Sequence, residues 1–195
     1  NSKEIKKNDV FFAIKGKKKD GNFFTGESIK NGASFAVVNR MDRSTIQSKQ
    51  LLVKDSLKSL TDISKKIRLS SYAKIIAITG SCGKTSLKEL LANTLCKYGK
   101  VSYSPKSYNN KYGVPLSIFN INKYDDFNIF EIGMDKKGEI DLLSKIIKPD
   151  VGVITNISYA HAKNFKNLNQ IADAKSEIIN NINSNGSMVL NADDI

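Results

Sequence analysis

The run Thr79-Gly80-Ser81-Cys82-Gly83-Lys84-Thr85 places two glycines, a lysine and a hydroxyl between an apolar stretch and an amphipathic one. Residues of these types in this order suit an anion. Glycines let the backbone wrap a phosphate, and the amides opening the next helix point at its oxygens. A lysine adds a point charge, and a threonine hydroxyl reaches a divalent cation. The loop is shorter than the common phosphate loop, because Ile78 stands where G-x-x-x-x-G-K-[ST] has its first Gly, so the pattern reads G-x-x-G-K-T. A glycine turn that merely precedes Lys-Thr is the alternative, and the flanking strand and helix signals weigh against it. Cys82 lies near a helix start, where a thiol pKa falls; simple space filling is the preferred reading of it.

Three further residues have chemical potential. Glu131 closes the apolar run Ile129-Phe130-Glu131-Ile132-Gly133; a carboxylate there is costly to bury without a partner, and Mg2+ at the loop would be one. The alternative is a surface-facing Glu at a strand end. Lys175 sits among apolar positions 168, 171, 172, 174, 178, 179 and 182 of a helical stretch. It must snorkel out, pair with an acid or lose its charge. A neutral amine can also take up CO2 as a metal-binding carbamate, but spacing alone favours snorkelling. The single histidine, His161, follows a strand at Val151 to Thr155 and Asn156; a lone His gains a functional reading only beside a metal.

The elements that must position these groups alternate. Strand signals occur at Val10 to Ile14, Phe35 to Val38 and Leu51 to Val53, with a short helix at Glu27 to Asn31 stopped by Gly32. Ser56 is a plausible N-cap for a helix carrying Leu57, Leu60, Ile63 and Ile67. Residues 1–72 thus form a small α/β unit. From residue 73 onward come strand Ile75 to Thr79, helix Lys84 to Tyr98 stopped by Gly99, strand Val101 to Tyr103 and strand Phe127 to Ile132. Helix Ile140 to Ile147, strand Val151 to Thr155, helix Leu168 to Ile182 and strand Met188 to Leu190 complete residues 73–195. Such alternation predicts a mainly parallel sheet flanked by helices, with ligands at the carboxyl ends of the strands.

Composition narrows the class. The chain has 195 residues, a net charge of +12 and 40% hydrophobic residues, with few Gly and Pro, which excludes collagen-like, disordered and disulfide-scaffold proteins. A nucleic-acid partner is one reading of the charge, but 28 of the 31 basic residues are Lys, spread along the chain. A solvated cationic surface, with the Lys, Asn and Ile usage of an A+T-rich coding sequence, fits better, so no nucleic-acid partner is expected. Apolar runs such as Val10 to Ile14 fall far short of the ~20 residues that span a membrane. No signal peptide pattern opens the chain either, which predicts a cytoplasmic protein without a membrane partner. Cys82 and Cys96 lack the spacing of a zinc or redox pair and read as free thiols. The chain starts at Asn1 rather than Met and stops soon after a strand-like Ser187 to Leu190, and is expected to be a piece of a longer protein.

The order of motifs resembles the Mur ligases, the ATP-dependent amide-forming enzymes of peptidoglycan precursor synthesis. Asn8-Asp9-Val10-Phe11-Phe12-Ala13-Ile14-Lys15-Gly16 and Asp20-Gly21-Asn22-Phe23-Phe24 resemble the family's uridine-nucleotide-binding N-terminal domain. Asn1-Ser2-Lys3 stands where Asp-Ser-Arg is common. Asn109-Asn110, Gly113-Val114-Pro115, Glu131-Ile132-Gly133-Met134, Gly138-Glu139-Ile140, Thr155-Asn156, Ala160-His161, Ala174-Lys175-Ser176-Glu177-Ile178 and Asn191-Ala192-Asp193-Asp194 are similar to the members that add D-alanyl-D-alanine. Cys82, Asp135-Lys136-Lys137 and Ser158 depart from the pattern without removing a group the chemistry needs.

The resemblance implies a uridine-nucleotide domain at 1–72, a central ATP-binding domain at 73–195 and a C-terminal domain not represented, so that this piece alone is inactive. It implies ATP phosphates on Gly80, Ser81, Cys82, Gly83, Lys84, Thr85 and Ser86, and Mg2+ on Thr85, Glu131, His161 and a carbamylated Lys175. Lys84, Lys175 and His161 would be catalytic, and Ser2, Asn109, Asn110 and Asn156 would face substrate. The implied reaction joins UDP-N-acetylmuramoyl-tripeptide to D-alanyl-D-alanine through an acyl phosphate, in a bacterial cytoplasmic monomer. A family ligase that adds one amino acid, folylpolyglutamate synthetase and a non-catalytic phosphate-loop module are the alternatives; the stretch Asn109 to Pro115 argues against the first two.

Overall fold

A computed structural model of the chain describes residues 2–16, 19–159 and 164–193. In the N-terminal part, strands β1 (Val10–Phe12), β2 (Phe35–Val38) and β3 (Gln50–Leu52) form a parallel sheet in the order β1-β2-β3, with helix α1 (Thr25–Lys30) between the first two. Val10 pairs with Phe35 and Ala36 with Gln50. Phe11, Ala13, Ile29, Ala33, Ala36 and Val38 form one apolar cluster, and Val37 and Leu60 are buried as well. Helix α2 (Ser56–Leu69) follows. Its cap corrects the expectation of Ser56: the Asp55 carboxylate accepts the Leu57 and Lys58 amides at 2.8 and 2.9 Å, whereas the Ser56 hydroxyl turns to the Val37 carbonyl. A carboxylate satisfies two orphan amides and meets the positive end of the helix.

The second part carries the phosphate-type loop. Its elements are β4 (Lys74–Thr79), α3 (Lys84–Leu95), β5 (Val101–Tyr103), α4 (Gly113–Ile118), β6 (Phe127–Glu131), α5 (Glu139–Ile147), β7 (Val151–Ile154), α6 (Leu168–Ser176) and β8 (Ser187–Leu190). Five parallel strands run in the order β5-β6-β4-β7-β8. The first strand is therefore central, with its sequence successors laid to either side, and its carboxyl end is a topological switch point. Strand alternation gives β4 two apolar faces. Ile75 and Ala77 join a core with residues of α4, α5 and α6, while Ile76 and Ile78 meet Ala92, Leu87, Leu91 and Leu95 of α3. The expected mainly parallel α/β architecture is what the chain adopts.

Several element ends differ from expectation. The last helix breaks at Ser176 into a 3-10 turn, Glu177–Asn181, and α3 ends at Leu95 before its Gly99 stop. Helix α4 is not among the elements expected from the sequence; Pro115 lies in its first turn, where a missing N–H leaves no bond unmade. The compact units divide at Asn1–Ile63 and Ser64–Ile195, inside α2, rather than at 72/73. The last turns of that helix belong to the second unit because Ile67 packs on its core and Arg68 binds it. Among the described residues, no helix is long and apolar enough to cross a membrane.

Arg68, 8% exposed, donates from its guanidinium to the carbonyls of Ile147 and Lys148, the last of α5 and the residue after it. Lys148 is left-handed, at φ 48°, so the helix stops there with open acceptors. Replacing Arg68 with Met leaves them without the charged donor and lowers unfolding free energy by roughly 2 kcal/mol, read as a lower urea midpoint by circular dichroism.

Candidate functional site

At the end of β4 the chain makes the turn that the sequence pattern requires. Gly80 has φ +149° and Gly83 φ +77°, backbone that L side chains adopt only with strain, and a Cβ on Gly80 would collide with the Thr155 hydroxyl. Gly83 then caps α3, so the loop amides and the positive end of a helix face one spot. The Ser81 and Cys82 amides donate to Asn156 Oδ1 at 3.1 and 3.0 Å. Thr155 donates its hydroxyl to the Cys82 carbonyl at 2.6 Å, and Ser81 and Ser158 exchange two bonds of 2.9 Å. The segment after β7 thus holds the loop in shape from the neighbouring strand. Lys84 reaches back to the Gly80 carbonyl at 2.8 Å, so its ammonium lies over the loop.

Glu131 is 1% exposed, which corrects the surface-facing alternative. It stands opposite Ile78 in the register of β6 with β4, one strand from the loop. One carboxylate oxygen accepts the Thr85 hydroxyl at 2.8 Å and the other accepts the Asn109 amide at 2.7 Å. No described cation forms an ion pair with it. A buried carboxylate joined to a phosphate-loop threonine, with neutral partners alone, offers hard oxygen donors that fit a divalent cation such as Mg2+.

Lys175 is 2% exposed, so it does not snorkel, and its ammonium makes no hydrogen bond or ion pair to a described residue. Burial, reinforced by the positive charge of Lys84, pulls its ammonium down to about 8. This coupling sets Lys175 in the field of the phosphate loop, although 91 residues separate it from Lys84 in the chain. Near neutral pH a fraction of the amine is uncharged, the form that adds CO2.

The remaining candidates separate. Asn109 and Asn156 join the loop and carboxylate cluster; Asn110 instead accepts the Tyr112 and Gly113 amides, both at 3.0 Å, to start α4. Ser86 is exposed in the first turn of α3. Ser2 lies in the N-terminal unit, where its carbonyl accepts the Asn31 side chain. His161 lies outside the described residues. Cys82 and Cys96 are free and exposed; the Cys82 sulfur accepts the Asn156 amide at 2.7 Å.

Two charged residues of the region were passed over in the sequence. Lys88 is fully buried, and the signal was its place with Leu91, Ala92 and Leu95 at i, i+3, i+4 and i+7. Glu177 caps α5 from a distance, accepting the Gly138 amide at 2.7 Å and the Asp141 amide at 3.1 Å. No local pattern announces that contact.

The Lys175 shift predicts a pH-dependent stability. Its folded-state pKa, about 8, lies below the ordinary 10.5, so the unfolded chain holds more protons between these values and stability rises with pH across that window. Lys175→Met removes the buried charge and keeps the shape. In CO2-free buffer at pH 7 it raises unfolding free energy by about 2–3 kcal/mol, and the gain over the parent shrinks from pH 8 to 10 in denaturant titrations.

The comparisons with known proteins agree with this geometry. Residues 78–195 match the family model described as the Mur ligase middle domain. The UDP-N-acetylmuramoyl-tripeptide–D-alanyl-D-alanine ligase of Rickettsia prowazekii is 38% identical over 192 residues, 98% of this chain and 42% of the relative. The Escherichia coli protein of the same name is 32% identical over 185 residues, 94% of this chain and 40% of the relative. Among solved structures, MurF from Acinetobacter baumannii superposes with a TM-score of 0.91 at 33% identity, covering 100% of this chain and 43% of that one. MurF ligase from Thermotoga maritima in complex with ADP gives 0.87 at 35%, covering 100% and 45%. The chain spans about two-fifths of the length of these relatives. A phosphate loop, a buried carboxylate on its threonine and a match across most of the second unit lead to one assignment: this chain belongs to the Mur ligase family.

Proposed function

We propose that the protein containing this chain is an ATP-dependent amide ligase that adds D-alanyl-D-alanine to UDP-N-acetylmuramoyl-tripeptide in peptidoglycan precursor synthesis. The observation that carries the reading is the bonded series Thr85–Glu131–Asn109 beneath the phosphate loop. The names of the relatives at 30–38% identity supply the substrate class.

In this reading the amides at the start of α3 and the Lys84 ammonium bind the ATP phosphates and offset negative charge as the tripeptide carboxylate takes the γ-phosphoryl group. The resulting acyl phosphate is attacked by the amine of D-alanyl-D-alanine, and phosphate leaves as the amide forms. Thr85 and Glu131 would hold one Mg2+, and Lys175 as its carbamate, with His161, a second. Bound Mg2+ neutralises the crowded phosphoryl and carboxylate oxygens. The buried amine of Lys175 suits carbamate formation, because R–NH2 and CO2 give R–NH–COO− and a proton, replacing a repelling cation with an anionic ligand. Thr155 and Asn156 keep the loop shaped to receive the nucleotide. The two units correspond in this reading to a uridine-nucleotide domain and the ATP-binding domain of a cytoplasmic, monomeric enzyme.

The test is phosphate release by the full-length protein with UDP-linked muramoyl tripeptide, ATP and Mg2+. Release with D-alanyl-D-alanine and not with single amino acids is expected; release only with a single amino acid on a shorter precursor moves the protein to a neighbouring ligase. Lys175→Ala is expected to lose most activity and to regain part of it with added short-chain carboxylate; full activity without the additive removes the carbamate role.

A further inference from the structure

Lys88 has no part in the reaction as described, yet it is a fully buried ammonium one turn beyond the phosphate loop. A charge in that position needs all of its donors satisfied. Lys88 Nζ donates to the carbonyls of Ser104, at 2.8 Å, and Lys106, and lies 3.2 Å from Glu89 Oε1. The ring of Tyr103 is 5.8 Å away. Two of these partners are backbone carbonyls of one connecting segment, the stretch that leaves β5 and arrives at Asn109.

Two backbone bonds lie within that segment, from the Tyr108 amide to the Pro105 carbonyl at 3.2 Å and from the Asn109 amide to the Ser107 carbonyl at 2.9 Å, and neither uses the Ser104 or Lys106 carbonyl. Lys106 is left-handed at φ 50°, a strained conformation for a side-chain-bearing residue, and it is the Lys106 carbonyl that the ammonium grips. Ser104 accepts the Glu131 amide on its hydroxyl, at 3.3 Å, while giving its carbonyl to Lys88. Further on, the Asn109 carbonyl accepts the Gly133 amide at 2.7 Å and the Asn109 side chain meets Glu131. The bonds therefore close a ring: Thr85 to Glu131, Glu131 to Asn109, back along 104–109 to Lys88, and one helical turn of α3 to Thr85 again.

We propose that Lys88 is a positioning residue for the cation site: by gripping the Ser104 and Lys106 carbonyls it fixes the 104–109 segment so that Asn109 orients Glu131 toward Thr85. A carboxylate of that burial has two oxygens to place, and Asn109 takes one so that the other faces the phosphate loop. Lys88 acts on the metal through Asn109 and touches no substrate. The inference rests on the reading that Thr85 and Glu131 bind Mg2+, and it does not depend on which amine is the acceptor.

The test is a double-mutant cycle in the full-length protein. It reads the Mg2+ concentration that half-saturates stabilisation of the protein by ATP in thermal melts, beside the Mg2+ dependence of phosphate release. Lys88→Met and Asn109→Ala are each expected to raise that concentration about tenfold, the scale on which groups orienting metal ligands act. The double variant is expected to match the single ones, because both remove the same link. Multiplication to about a hundredfold in the double variant overturns the proposal, as does a lower melting temperature with an unchanged Mg2+ requirement. Lys88→Arg covers the case in which Lys88→Met does not fold: it keeps the charge, but its planar fork replaces the point contact on two carbonyls. It is expected to raise the requirement several-fold on its own and not at all in the Asn109→Ala background. Loss of Mg2+-dependent ATP binding from the parent protein overturns the inference together with its premise. Intact Mg2+-dependent binding without dipeptide-dependent phosphate release removes the acceptor assignment alone and leaves the cycle to decide on Lys88.

Discussion

A carboxylate at the end of a strand buried on both faces is the demand around which this region is arranged. Glu131 follows Ile129 and Phe130, both fully buried, and has no room to turn to water. Its two oxygens must be satisfied where they are, and they are satisfied by Thr85 from the phosphate loop and Asn109 from the segment after β5. Neither partner carries charge. The anion is thus held in place without being neutralised, the condition in which it retains attraction for a cation. The same pair of bonds ties three stretches of chain, β6, the start of α3 and the 104–109 segment, into one register.

Strand order makes this meeting possible. Because β4 lies between β6 and β7, its carboxyl end is approached by Glu131 from one side and by Thr155 and Asn156 from the other. The backbone must leave the sheet in that narrow gap, and a side chain at Gly80 would meet Thr155. Glycine there is a packing requirement. The Asn156 side chain receives two loop amides on its oxygen, so the turn has its bonds before any ligand is considered.

Charged groups also hold helix ends at a distance from the loop. Helix α5 is gripped at its start by the Glu177 carboxylate and at its finish by the Arg68 guanidinium. Each charge suits the pole of the helix that it meets. Glu177 follows directly on α6, the helix that carries the buried amine of Lys175, so the contact that caps α5 joins the end of that helix to the start of another. This links the geometry of the candidate site to a helix that contributes no chemical group to it.

The alternation of strands and helices, the phosphate loop and the parallel sheet were readable from residue types and period, because a strand needs alternating or continuous apolar residues and a phosphate turn needs glycine. Glu131 and Lys175 stood out as charges in apolar settings for the same reason. The outcome of that conflict was not readable: Lys175 stays buried, Glu131 finds two neutral partners and Asn110 serves a helix start, while its neighbour Asn109 serves the carboxylate. Helix α4 hid behind Gly113 and Pro115, residues that end helices in most positions and open one here. The cap at Asp55, the break at Ser176 and the burial of Lys88 each depended on which distant carbonyl or amide lay within reach. Local sequence determined where the chain could turn, which face was apolar and which groups could bind phosphate. Tertiary structure decided which charges lost water and which partners they gained, because hydrogen bonds between groups far apart in the chain exist only once the sheet has set its strand order.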